Sequence, residues 1–70
     1  MQYQGFVVLA KAIECKNQKE FAERAGLFAS QVNRHWYPDT RSRPTLPLLE
    51  TAAARLNMPL WDIVRIIYGE

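Results

Sequence analysis

The sequence predicts an all-α fold, and three observations predict it. Apolar residues recur at helical spacing in separate stretches, Phe6, Leu9, Ala10 and Ile13 first and Leu60, Ile63, Val64 and Ile67 last, and that spacing lines one face of a helix. No stretch alternates apolar and polar residues as a half-buried strand does. Helix punctuation, from Asn17 and Gly26 to Pro38, Pro44, Pro47, Pro59 and Gly69, falls between the periodic stretches or at their ends. Together these predict a compact five-helix fold with helices over about 3–14, 18–25, 29–36, 46–56 and 60–68.

The first helix carries its apolar stripe on Phe6, Leu9, Ala10 and Ile13, with Lys11 and Glu14 away from its centre. Asn17 is placed to cap the second, and Glu20 stands three residues later, where a capping box returns a carboxylate to the cap amide. That helix buries Phe21, Ala22 and Ala25, and Gly26 ends it because a left-handed conformation costs glycine no steric energy. Only Leu27 and Phe28 precede the third helix, anchored by Leu27 and Val32 and stopped by Pro38. Pro44 and Pro47 bracket the start of the fourth, for which Thr45 is the natural cap and Leu46, Leu49, Ala53 and Leu56 the buried row. Pro59 opens the fifth helix and Gly69 closes it.

Composition narrows the function classes. Seventy residues, 49% of them hydrophobic and 23% charged, describe one ordinary folded domain, 1–70, too small for a deep catalytic cleft. A lone Cys15 makes no internal disulfide, and with His35 it offers no ligand spacing for zinc, so no metal or other cofactor is expected. Nor is an enzyme expected, since one His and one Cys at unrelated places supply no base and nucleophile pair. No apolar run approaches the roughly 20 residues of a membrane span and the start lacks the pattern of a signal peptide, so a cytoplasmic protein with no membrane and no small-molecule substrate is expected.

Net charge is +2, but Arg24, Arg34, Arg41 and Arg43 against Asp39 put +3 between residues 24 and 43 and leave −1 for the rest. A polyanion would be met in that middle segment. The same segment holds a helix, a tight turn beginning at Gly26 and a second helix with an unusually polar face. Two helices joined so tightly cross steeply, and the second can project into a DNA major groove.

NQKEFAERAGLFASQVNRHW resembles the helix-turn-helix core of the phage Cro and lambda-repressor-like (Xre-type) DNA-binding family, and RPTLPLLETAAARLNMPLWDIV is similar to the family's fourth helix and the start of its fifth. Ala22 matches the small residue of the second helix, Gly26 the turn glycine, Val32 the β-branched anchor and Leu56 the end of the fourth helix. The resemblance implies a lambda-repressor-like fold and a sequence-specific transcriptional regulator, a Cro-like or small repressor of phage, prophage or bacterial origin, whose partner is a double-stranded DNA operator. It implies that Ala29, Ser30, Asn33 and Arg34 face base edges, with Arg34 able to pair bidentately with guanine. It also implies that Gln18, Gln31, Arg41 and Arg43 contact the DNA backbone. Arg24 and Lys19 are expected to be solvated.

Three departures from the family pattern carry expectations of their own. Phe28 stands where a Ser or Thr usually caps the recognition helix, so packing is expected to hold that helix start, the other reading being contact with a thymine methyl. Trp36 replaces a usual Glu, and a cation–π or stem-packing contact with Lys11 is expected in its place. The loop over 37–43 is about two residues longer than the family's. On the last helix Trp61, Arg65 and Tyr68 lie on one stripe, which reads either as a homodimer seam or as the edge of the core. The rival to DNA binding is an antitoxin-like or phage-encoded protein-interaction module on the same fold.

Overall fold

The computed structural model describes residues 2–69. They form five helices, α1 (Phe6–Ala12), α2 (Gln18–Ala25), α3 (Ala29–Arg34), α4 (Leu46–Leu56) and α5 (Leu60–Ile67), with no strand among the described residues. The globule measures 26 × 23 × 22 Å. α2 packs against both α3 and α4, and α5 closes the other side against α1 and α4.

α1 is shorter than the periodicity predicts, at both ends. Gly5 takes φ 89°, and a Cβ there would run into the carbonyl of Trp36, so the helix cannot extend back to residue 3. The amides of Phe6 and Val7 donate instead to the carbonyls of His35 and Trp36, at 3.0 and 3.1 Å. Free first-turn donors of α1 are thus satisfied by the chain leaving α3. Ahead of them Tyr3 is buried and the Gln4 amide donates to the Ile67 carbonyl at 2.6 Å. At the far end Glu14 adopts φ 61° and the Cys15 amide returns to the Ala10 carbonyl at 2.8 Å, a left-handed helix stop without glycine.

α2 has the predicted bounds. Asn17 Oδ1 accepts from the Glu20 amide at 2.8 Å. The Glu20 carboxylate, however, accepts from the Lys16 amide at 2.5 Å, one residue before the cap where the capping box would place it. Gly26 is left-handed at φ 70°, and Leu27 donates to the Ala22 carbonyl at 3.0 Å.

α3 stops at Arg34, two residues short of the prediction, because His35 and Trp36 serve the core and not the helix. Their carbonyls are taken by α1, and the Trp36 ring sits edge-on to Phe21 at 6.0 Å. α4 matches its predicted bounds, but Thr45 makes no side-chain cap and Leu46 is exposed; Leu49, Ala52 and Ala53 form the buried face, with Leu56 half-buried. A proline in the first turn makes a capping side chain less necessary, since it has no amide to satisfy. α5 ends at Ile67, one residue early, with Ile63 and Ile67 fully buried. No helix among the described residues is long and apolar enough to cross a membrane.

Candidate nucleic-acid interface

α3 is six residues long and buries one side chain completely, Val32. Ala29, Ser30, Asn33 and Arg34 are all exposed. A helix this short has little stability of its own, and its ends are held by specific contacts. Gln31 Oε1 accepts from the Phe28 amide at 3.0 Å, which makes the return half of a capping box. Phe28 has no oxygen to make the other half, and it is 76% exposed. The expectation that packing of Phe28 holds this helix start is therefore overturned: the glutamine side chain holds it.

The structure joins two of the sequence-predicted residues across the α2–α3 pair. The Asn33 side-chain amide donates to Gln18 Oε1 at 3.2 Å, linking the outer face of α3 to the first residue of α2. Gln31 is half-buried, its side chain engaged at the Phe28 amide. Arg41 and Arg43 belong to a different part of the surface, the loop between α3 and α4, and both are exposed. Arg43 is the more constrained, its guanidinium 4.8 Å from the centroid of the Tyr3 ring and hydrogen-bonded to the Thr40 carbonyl.

Among the described residues the cation over an aromatic ring is thus Arg43 on Tyr3, and the cation–π pair expected between Lys11 and Trp36 does not form. Trp36 turns inward to Phe21 while Lys11 stays exposed. Arg24 is exposed, as expected of a solvated side chain, but it also has a partner. It donates to the Ile13 carbonyl at 2.8 Å and lies 3.4 Å from Cys15 Sγ, so it caps the end of α1.

Sequence reasoning missed Tyr3 and underrated His35. Tyr3 Oη donates to the His35 carbonyl at 2.5 Å, and its ring meets Tyr68 edge-on at 5.5 Å. Burial pushes the Tyr3 hydroxyl well above its usual range, so it stays a donor. His35 is buried, packs edge-on against Phe6 at 5.9 Å and donates from Nδ1 to the Ser42 carbonyl at 3.3 Å. Burial lowers its pKa from 6.5, the Ser42 bond opposes that shift and the nearby Arg34 charge reinforces it. The available signal was Gly5, a glycine inside a predicted helix.

The stripe on α5 divides. Trp61 is 60% exposed and Arg65 is exposed, paired with Asp62 at 3.8 Å. Tyr68 instead packs at the edge of the core against Tyr3. Met58, Asp62, Arg65 and Ile66 line a shallow groove of about 340 Å³. No family model matches the chain, and neither a curated protein nor a solved structure matches it significantly.

Proposed function

We propose that the chain is a sequence-specific double-stranded DNA-binding transcriptional regulator of the Cro-like or small-repressor kind, with α2 and α3 acting as its helix-turn-helix. α3 enters the major groove, where Arg34 reads guanine and Asn33, Ser30 and Ala29 complete the base-facing surface. Gln18, Gln31, Arg41 and Arg43 set the register on phosphates. The observation that carries the reading is the α3 surface itself: an exposed polar face with a single buried anchor, fastened to α2 through Asn33 and Gln18. A chain folding only for stability gains little from such a helix.

A homodimer belongs to the same proposal, since one recognition helix covers few base pairs and two on a two-fold axis read half-sites about 34 Å apart. Exposed Trp61 and Arg65 support α5 as its seam. The second reading, a protein-interaction module, is favoured by the exposed ring of Phe28 at the front of α3. Titration of random-sequence and selected duplexes at two salt concentrations separates the two. DNA binding through several arginines loses affinity steeply as salt rises, whereas no binding at low salt would leave the protein-interaction reading. Sedimentation with and without duplex tests the dimer.

A further inference from the structure

We propose that Tyr3 is a positioning residue for DNA binding: its buried ring is the platform that holds the Arg43 guanidinium ready for a backbone phosphate. This inference rests on the DNA-binding reading and deepens it. Arg43 sits in a loop, between α3 and α4, that has no regular structure to direct a long side chain. Two contacts direct it nonetheless, the Tyr3 ring below the guanidinium and the Thr40 carbonyl beside it. One guanidinium nitrogen is engaged at Thr40, and the group as a whole remains exposed. An arginine is suited to this because a planar cation can stack on a ring while its edge donors still meet phosphate oxygens.

The platform is rigid for reasons unconnected with DNA. Tyr3 is 2% exposed, its hydroxyl is bonded to the carbonyl that ends α3, and its ring abuts Tyr68 at the end of α5. The next residue, Gln4, is hydrogen-bonded to Ile67, and Gly5 allows the chain to turn sharply into α1 against Trp36. The segment before α1 thus ties the loop arginine to the carbonyl at which α3 ends. An arginine held this way loses less side-chain freedom on binding than a free one, so its phosphate contact is stronger.

The test compares wild type, Y3F, Y3L, R43A and the Y3L/R43A double variant for affinity to duplex DNA across a salt series, each at a temperature where it is folded. R43A is expected to lose about tenfold in affinity on all sequences and to lower the salt slope by about one phosphate contact. Y3L is expected to lose part of that affinity with the salt slope nearly kept, because the Arg43 charge remains, and the Y3L/R43A double variant to add little to R43A alone. Y3F keeps the ring and is expected to keep the wild-type affinity. Should Y3L fail to fold, the side-chain protons of Arg43 in wild type still decide, because a guanidinium stacked on Tyr3 carries an upfield ring-current shift that Y3F retains. Additive losses in the double variant, wild-type affinity in Y3L, or Arg43 protons at random-coil positions would each overturn the inference while leaving DNA binding intact. Wild type that binds no duplex at low salt overturns both.

Discussion

The side-chain amide of Asn33 donates to Oε1 of Gln18 across 3.2 Å, so a residue on the outer face of α3 and the first residue of α2 are held as a pair. Under the proposed function one member reads bases and the other touches phosphate, and the pair should act as a unit. Asn33→Ala and Gln18→Ala are each expected to weaken specific DNA binding, with the double variant falling short of additivity by about 0.5–1 kcal/mol. Strict additivity in the binding cycle would show that the hydrogen bond does not matter to DNA binding.

Arg34 is exposed at the end of α3 and has no ion-pair partner among the described residues. Arg34→Ala is expected to relax base preference at one position, with a loss of about 1–3 kcal/mol on the preferred duplex and much less on random DNA. Sequence selection from a random pool checks this directly. An equal loss on both kinds of DNA would reassign Arg34 to the phosphates.

Phe28 and Gln31 exchange the importance their residue types suggest. The phenylalanine ring is 76% exposed, while the glutamine side chain holds the cap amide of α3. Phe28→Ala is therefore expected to change folding stability by no more than about 0.5 kcal/mol, and Gln31→Ala to cost about 0.5–1 kcal/mol as a lost cap. Urea denaturation ranks them, and the reverse order would contradict this account of the helix start.

Positive φ angles give a matched set of stability variants. Gly26→Ala, at φ 70°, meets backbone strain of about 1–2 kcal/mol together with the Arg55 side chain, which is flexible enough to move aside. Gly5→Ala meets the main-chain carbonyl of Trp36, which cannot move without disturbing α1, and should cost more. Glu14, a non-glycine at φ 61°, runs the other way: Glu14→Gly is expected to raise stability by up to about 1 kcal/mol. Thermal unfolding of the three variants gives the order.

Acid should weaken the fold through His35. Because burial depresses its pKa in the folded chain below the ordinary 6.5, the unfolded chain takes up the proton first as pH falls. The contribution of neutral His35 is complete above 6.5 and is lost as pH drops from there through the folded-state value. Unfolding free energy measured between about pH 7 and pH 5 should decline, and His35→Asn should flatten that decline. A slope unchanged in the variant would assign the effect to carboxylates.

The all-α class, the bounds of α2 and α4 and the polar character of α3 were all legible in the residues, because each rests on local physics: spacing of apolar side chains, an asparagine cap, a glycine stop and a proline in the first turn. The start of α1 and the end of α3 were not legible, since each is determined by the other. The carbonyls of His35 and Trp36 receive the first amides of α1, and no local pattern announces a hydrogen bond across about 30 residues of chain. For the same reason Tyr3, Arg24 and Arg43 looked like helix, solvent and loop in sequence. Only tertiary structure made them a buried platform, a cap on α1 and a cation stacked on a ring. Helical periodicity reports which face a residue occupies, whereas the partner of a long side chain depends on what the fold brings beside it.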